Sequence, residues 1–395
     1  MYTTDAGKGL YSSIGYCIPR NSKYNGNNLP SGTCYYIINP KNGRKVVSGY
    51  VTIIRRIMKR ILYAIVFFVA GIQFVDAQQK PQYTQYIFNN YLLNPALTGI
   101  ENYTDVKAGY RSQWTGLEGA PVTGYLTINA PIGNKFLQGD ATAFPAGGGL
   151  NPSSRSYTQQ YQAAEPHHGI GLTLVTDKTG PITQTNINAT YAYHLGITDR
   201  LNLAVGVSAG VSHNVLNLSQ VHFADETDPI LNNINNNQWK PDLGIGVWAY
   251  ASNYFFGVSV QQVLPQNLYV TTSTSATQNK TVPHYFFTAG TKLFLSDDVT
   301  LIPSVLVKVI QPVPTTFDLN LKMSFQDKFW IGGSYRRNDS FAALVGFNLS
   351  SFVNVGYSYD FTTSALNTVS NGSHEIVIGI LLNNRYKVTC PQHTF

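Results

Sequence analysis

The sequence predicts an all-β fold, a transmembrane outer-membrane β-barrel of about 14 antiparallel strands with a short periplasmic N-terminal segment. Three observations predict it: an export signal, the absence of a long apolar run after residue 75, and repeated segments of alternating apolar and polar residues. A strand that crosses a membrane needs about 9–11 residues, whereas strands of soluble proteins are usually nearer 5–6 residues. The alternating segments have the longer of these two lengths.

Residues 58–77 have the composition of a signal peptide. Two basic residues come first, residues 61–75 are uncharged and mostly apolar, and cleavage is expected between Ala77 and Gln78. A transmembrane helix would need roughly 20 apolar residues, and this run is shorter. We therefore expect an exported protein that begins its mature form at Gln78.

Residues 1–57 precede this signal and show no sustained hydrophobic period. Because signal peptides work from the N-terminus, we expect translation to start at Met58 and residues 1–57 to be an over-extended, disordered stretch. Residues 1–77 contain 10 of the 27 Lys and Arg and 2 of the 20 Asp and Glu, which leaves 17 basic and 18 acidic residues, a net charge of −1. The basic character of the whole chain thus gives no support for nucleic acid as a partner.

Alternation with a period of two predicts the strands. From 201 to 211 the odd positions are all apolar, and the even ones are Asn, Ala, Gly or Ser. Only Cys390 follows the signal, so no internal disulfide is possible in the mature part. The predicted strands cover 104–112, 122–130, 168–176, 182–195, 199–213, 242–251, 253–262, 283–294, 298–309, 315–325, 327–336, 340–349, 352–362 and 373–384, all within a barrel region of 104–395.

The connections predict which barrel end faces the periplasm. With a periplasmic N-terminus, the inner turns are short and the outer loops 214–241 and 263–282 are long, as in bacterial barrels. Residues 131–167 are the exception, and we interpret them as an irregular insertion. A barrel of this size is wider than its own side chains can fill, so either it conducts or the segment 78–103, the insertion or an outer loop plugs it.

Two sequence blocks carry a family resemblance. Residues 81–99, PQYTQYIFNNYLLNPALTG, and the later block YRSQWTGLEGAPVTG resemble signatures of the PorP/SprF family, outer-membrane proteins of type IX secretion in Bacteroidetes. The resemblance implies a protein that is not an enzyme and has no cofactor. It implies binding, delivery or anchoring of secreted cargo, often gliding adhesins with a C-terminal targeting domain, and contact with outer membrane lipids and periplasmic ring or peptidoglycan-associated components. The alternative is a 14-stranded channel for small solutes or fatty acids.

Two groups of residues are candidates for function. The first group, at the first outer loop, would either bind a partner or brace the barrel mouth. The second group has charged side chains in the inward register of consecutive strands, where they would pair across the lumen and hold a plug or bind cargo. The first group is Arg111, Gln113, Trp114, Gly116, Gly119 and Pro121, and the second is Lys292, Lys308, Asp318, Lys322, Arg336 and Asp360.

Three signals reminiscent of enzymes have simpler interpretations. Ser208 stands in a G-x-S-x-G pattern, but it lies within a predicted strand rather than at the strand-to-helix turn that hydrolases need. His167 and His168 lack the spacing of a metal site. His374 and Glu375 open the last predicted strand, where we expect a hydrogen-bonding role at the rim. We therefore predict no catalytic, cofactor-binding or metal-binding residues.

Overall fold

Fourteen strands dominate the computed structural model of the chain, which describes residues 80–133, 161, 163–220, 237–264, 281–311, 313–326, 328–350 and 352–383 together with strands within residues 12–53. Polar or glycine-containing connections separate strands rich in Val, Ile, Thr and aromatic residues. The barrel strands are β1 (Thr104–Ser112), β2 (Val122–Ile132), β3 (His167–Thr179), β4 (Ile182–Thr198), β5 (Leu201–Leu216), β6 (Asn237–Tyr250), β7 (Tyr254–Gln261), β8 (His284–Thr291, resuming as Leu293–Phe294), β9 (Val299–Ile310), β10 (Val313–Phe325), β11 (Phe329–Arg336), β12 (Ser340–Ser350), β13 (Val353–Thr362) and β14 (Ser373–Leu382).

The strands form one closed antiparallel sheet. Each strand pairs with its neighbours in sequence, and β14 pairs with β1 from His374 opposite Ser112 to Leu382 opposite Thr104. The predicted barrel of 14 strands is therefore confirmed. The insertion predicted over 131–167 is shorter at both ends, because β2 continues through Ile132 and β3 already begins at His167.

The two faces of the sheet differ as the alternation predicts. On β10, Leu319 and Leu321 point outward and are about half exposed, whereas Asp318 and Asn320 point inward and are buried. Exposed aromatic side chains lie near both ends of the outer surface, with Tyr110, Phe341 and Phe361 at one end and Tyr254, Phe329 and Phe352 at the other. An apolar outer band between aromatic girdles is the surface of a barrel embedded in a membrane.

The two ends of the barrel carry different connections. Residues 113–121, 217–236, 262–283 and 363–372 join strands at one end, which we call the loop end. At the opposite end, called the turn end, β1 begins, β14 ends, and the connections are short except for 133–166. Long connections face the cell surface in bacterial barrels, and four of the five longest connections lie at the loop end, so we predict that the loop end is the outer one.

The lumen is filled by residues 80–103, which we call the arm. It contains three short 3-10 helices, Gln85–Ile87, Asn90–Leu92 and Pro95–Leu97, and the side chain of Asn94 caps the third by accepting a hydrogen bond from the Ala96 amide at 2.9 Å. Nearly every residue of the arm from Thr84 onward is buried. The expectation that this segment lies in the periplasm is therefore wrong for its described part, which is inside the barrel.

Apolar packing between the arm and the inner wall gives the lumen a hydrophobic core, which the alternation did not predict. In one cluster Phe88 lies 6.0 Å from Trp330, measured between ring centroids, and Leu92 and Leu93 are buried with it. In a second cluster Ala96 and Leu97 pack with Trp248. The inward side chains are large here because the arm supplies apolar partners that a water-filled lumen would not.

Residues 1–72 form a separate unit. Within it Gly32–Asn39 pairs antiparallel with Val47–Ile53, so the expectation of disorder over 1–57 does not hold for these residues, which are rich in aromatic and β-branched types. The start at Met58 remains a prediction, and the cleavage positions Ala77 and Gln78 lie outside the described residues. Within the described part of the chain, no helix has the length and apolar character needed to cross a bilayer.

Candidate functional site in the barrel lumen

A cluster of buried charges joins the arm to the wall near the loop end. Arg111 on β1 donates from Nη2 to the Asp360 carboxylate on β13 at 2.6 Å and from Nη1 to the Glu375 carboxylate on β14 at 3.1 Å. All three side chains are almost completely buried. Charge-assisted hydrogen bonds of this kind are about twice as strong as neutral ones, and neighbouring strands hold the three groups together because the β14 and β1 register places Glu375 opposite Arg111.

The same carboxylates bind the first buried turn of the arm. Glu375 Oε2 accepts hydrogen bonds from the backbone amides of Thr84 at 2.7 Å and Gln85 at 3.2 Å. The hydroxyl of Thr84 donates to Asp360 at 2.7 Å and accepts from Arg111 at 2.8 Å. The other Glu375 oxygen accepts from the Tyr125 hydroxyl at 2.9 Å. The start of the arm is thus bound through its backbone as well as its side chains.

A second arginine extends this cluster along the wall. Arg336 on β11 donates from Nε to the Asp318 carboxylate at 3.2 Å and from Nη1 to the Asp339 carboxylate at 3.3 Å. Its Nη2 donates to the backbone carbonyl of Tyr83 at 3.2 Å, and Nη1 lies 3.9 Å from Asp360 Oδ2. The two arginines and their carboxylates therefore form one continuous charge cluster around Tyr83 and Thr84.

Lys80 anchors the beginning of the arm on the opposite wall. Its ammonium group lies 3.2 Å from the Asp242 carboxylate on β6 and donates to Gln261 Oε1 at 3.3 Å. Its backbone amide donates to His284 Nε2 at 3.2 Å. Gln261 is the last residue of β7 and His284 is the first of β8, so this anchor lies at the loop end.

Three inward-facing glycines of the wall lie directly against residues Asn94–Gly99 of the arm. A Cβ atom on Gly206 of β5 would lie 2.5 Å from the Ala96 backbone nitrogen, one on Gly246 of β6 would overlap the Asn94 side chain, and one on Gly169 of β3 would overlap the Thr98 carbonyl. Asn94 Nδ2 also donates to the backbone carbonyl of Val247 at 3.0 Å. The arm can approach the wall this closely only because these wall positions have no side chain.

Two stacked histidines hold the far end of the arm. The rings of His167 and His194 are 4.5 Å apart and nearly parallel. The Nε2 atom of His194 donates to the Thr98 carbonyl at 2.8 Å, and Nε2 of His167 lies 3.2 Å from the Gly99 carbonyl oxygen. His167 is the first residue of β3, so these contacts lie at the turn end.

Little space remains between the arm and the wall. Among the described residues, one cavity that borders the arm has a volume of about 50 Å³ and another has about 40 Å³. A single water molecule needs roughly 10–15 Å³ measured in this way, so each cavity has room for a few waters. The arm, the first of the three plug candidates in the sequence, therefore occupies the described part of the lumen.

With this geometry in place, the comparisons with known proteins identify the family. The family model described as type IX secretion system membrane protein PorP/SprF matches residues 75–380. The chain belongs to the PorP/SprF family. No curated protein matches it. As a family member with a closed membrane barrel, it is a protein of the bacterial outer membrane.

Several solved outer-membrane proteins have a similar architecture to this PorP/SprF chain. They are Omp33 of Acinetobacter baumannii (9% identity, 72% of this chain and 100% of that chain, TM-score 0.41), the toluene transporter TbuX of Ralstonia pickettii (11%, 75% and 93%, TM-score 0.42) and the monoaromatic hydrocarbon channel CymD (11%, 78% and 94%, TM-score 0.39). Similarity at this level carries no information about function.

The predicted loop group divides between the lumen and the mouth. Arg111 and Gln113 are buried, so the structure places Arg111 in the charge cluster and not at a surface that meets a partner. Trp114, Gly116 and Gly119 have φ angles of 49°, 95° and 72°, in the left-handed region. The connection is tied to its neighbours, because Trp114 N donates to the Ser373 hydroxyl at 3.0 Å and the Pro121 carbonyl accepts from Gln113 N at 2.9 Å.

The six charged residues predicted to face the lumen do not all lie in one cluster. Asp318, Arg336 and Asp360 lie together as expected, and Lys308 lies on β9 opposite Thr316 of β10, the strand that carries Asp318. Lys322 lies deeper, with its ammonium 4.8 Å from the centroid of the Trp330 ring, and Lys292 lies at the turn end. Sequence reasoning missed Arg111 and Glu375 as members of the cluster because only the closing pair of strands brings them together.

The enzyme-like signals have structural explanations. Ser208 lies within β5, and Gly206 from the same motif is one of the glycines that the arm packs against. His167 and His168 point to opposite faces, since His168 contacts the Tyr191 hydroxyl at 2.6 Å on the exposed side, so the pair cannot bind one ion together. Glu375 has the expected hydrogen-bonding role near the loop end, but it points inward and is fully buried, while its neighbour His374 faces outward.

Proposed function

We propose that this protein is a non-enzymatic outer-membrane barrel of type IX secretion that binds secreted cargo and delivers or anchors it at the cell surface. Family membership supports a role in type IX secretion. The observation that carries the choice of a binding role over a conducting one is the filled lumen, in which the arm is bonded to the wall at both ends. A pore would need continuous water-filled space.

The partner-binding surface in this proposal is the connection 113–121 at the loop end. Arg111 is committed to the lumen, which leaves Trp114 and the exposed positions up to Gly119 for contact with cargo. Trp114 is partly exposed and has a left-handed backbone that is uncommon for a bulky residue. Such strain persists where surrounding bonds hold it, often at sites of recognition. Contact with periplasmic ring or peptidoglycan-associated components would take place at the turn end.

The test measures where cargo goes. In cells that lack the gene, proteins with the C-terminal targeting domain should fall in abundance at the surface, and the intact gene should restore them. A Trp114→Ala variant should lower surface cargo while its barrel keeps the heat stability of the wild type. Trp239→Ala is the matched control, since Trp239 is an outward tryptophan that is 62% exposed. Unchanged surface cargo in cells without the gene would contradict the proposal.

Conductance separates the proposed role from the channel alternative. The purified complete barrel in a planar bilayer should show no stable open state, because the arm fills the described lumen. A steady open pore in the wild-type protein, combined with normal surface cargo in the deletion strain, would favour a channel for small solutes instead.

A further inference from the structure

The arm runs through the barrel in one direction. At its beginning, Lys80 contacts Gln261 and His284, which border the 262–283 connection at the loop end. At its far end, the Gly99 amide donates to Asn129 Oδ1 at 3.0 Å, three residues before β2 ends at the turn end. The chain then enters β1, whose first residue, Thr104, also lies at the turn end.

We infer that the polypeptide enters the lumen from the cell-surface mouth and crosses the barrel to the periplasmic side before forming β1. The loop end is assigned to the cell surface because it carries four of the five longest connections, and 133–166 is the exception. The arm therefore begins, at Lys80, at the extracellular end of the lumen. An even number of strands places the start of β1 and the end of β14 on the same side of the membrane, here the periplasmic side. It does not determine the path of the chain before β1, which in this protein begins at the opposite end of the barrel.

The bonds at the two ends of the arm agree with this direction. Near the loop end the arm is held by the Lys80 to Asp242 ion pair and by the bonds of Glu375 to the amides of Thr84 and Gln85. At the turn end the Thr98 carbonyl accepts a hydrogen bond from His194 on β4, and the Gly99 amide donates to Asn129 on β2. A chain that entered from the periplasm would have to place Lys80 near the start of β1, away from all of these partners.

Chain length excludes a return to the periplasm in the mature protein. If cleavage occurs between Ala77 and Gln78, two residues precede Lys80, and a fully extended chain of two residues spans about 7 Å. The apolar band of an outer-membrane barrel is about 25 Å tall. An amino terminus created by that cleavage therefore cannot reach the periplasmic side of the barrel from Lys80.

Epitope accessibility tests the inference on whole cells. A short epitope with a flexible linker is inserted between Gln79 and Lys80, with matched insertions between Leu117 and Glu118 at the loop end and between Asp199 and Arg200 at the turn end. We expect the first two to stain equally well before and after permeabilisation of the outer membrane, and the third to stain only after it. Staining of the Gln79 insertion only after permeabilisation would overturn the inference.

Single cysteine substitutions provide a second test in case an epitope insertion prevents assembly of the barrel. A failure to assemble would be visible as loss of the heat-modifiable band on gels. In a Cys390→Ser background, Gln82→Cys is compared with Glu118→Cys and Asp199→Cys by labelling intact cells with a membrane-impermeant maleimide. We expect Gln82→Cys to label on intact cells, as Glu118→Cys does. Labelling of Gln82→Cys only in opened cells, or in neither state, overturns the inference. Neither readout depends on cargo, so failure of this inference is distinguishable from failure of the proposed function.

Discussion

Replacing Arg111 with methionine should destabilise the barrel more than the loss of any exposed charge. Methionine keeps most of the apolar volume of the side chain but removes the guanidinium that pairs with Asp360 and Glu375. Both carboxylates are buried, so neither can regain its lost partner from bulk water. The arm should loosen at the same time, since the Thr84 hydroxyl loses its donor.

The magnitude follows from the partners that remain. Removing one member of a buried ion pair costs about 3–5 kcal/mol in other proteins. Asp360 keeps the Thr84 hydroxyl at 2.7 Å, and Glu375 keeps two backbone amides and the Tyr125 hydroxyl. The loss should therefore lie near the lower limit, about 3 kcal/mol. At about 2–4 °C per kcal/mol, this lowers the midpoint of thermal unfolding by roughly 6–12 °C.

The assay is the thermal midpoint of the refolded barrel in detergent, read as loss of the compact form on unheated gels. Arg337→Met is the matched control, because Arg337 is exposed and its guanidinium carbon lies 5.5 Å from the centroid of the Phe317 ring. Adding Glu375→Gln to Arg111→Met should recover part of the loss by removing one unpaired charge. Equal midpoints for Arg111→Met and Arg337→Met would refute the reasoning.

Three further predictions use the same thermal assay or conductance. Gly206→Ala should lower the free energy of unfolding by about 1–3 kcal/mol, because its Cβ overlaps the arm backbone. Gly124→Ala should be neutral, because a Cβ at Gly124 would meet open space. Equal thermal midpoints for the two variants would show that the close approach at Gly206 is unimportant. His374→Ala should change stability by less than about 0.5 kcal/mol, and Glu375→Gln should be clearly destabilising; the reverse order would mean that the assigned faces are wrong. Deleting residues 80–98 should open an ion-conducting path through a lumen too wide to fill itself, and a deletion barrel as tight as the wild type would show that the arm is not the seal.

Most of the barrel could be predicted because alternation is a local property. Every predicted strand has a counterpart in the structure, and β1 has the predicted ends. The largest difference is β6, which begins at Asn237 instead of 242. Its first turn-like residues, including Pro241, hide the period, and the pairing of Pro241 with Val211 on β5 extends the strand.

The candidate site was predictable only in part. Charges in the inward register of β10, β11 and β13 could be assigned from the period of two, and Asp318, Arg336 and Asp360 do meet. Arg111 and Glu375 could not be joined to them, because they are 264 positions apart in sequence and meet only when β14 closes on β1. A signal was present, since both are charged residues in the inward phase of their strands.

The amino-acid sequence by itself determined the compartment, the family blocks, the strands and the face on which each side chain lies, because these depend on composition and on neighbours within about ten residues. Only the tertiary structure decided what fills the lumen, which direction the arm takes and which charges pair. These features are contacts between residues far apart in sequence, such as Lys80 with Asp242 and Thr98 with His194. Their partners are selected by closure of the sheet and by the space left at the inward glycines, and neither is a property of any single segment.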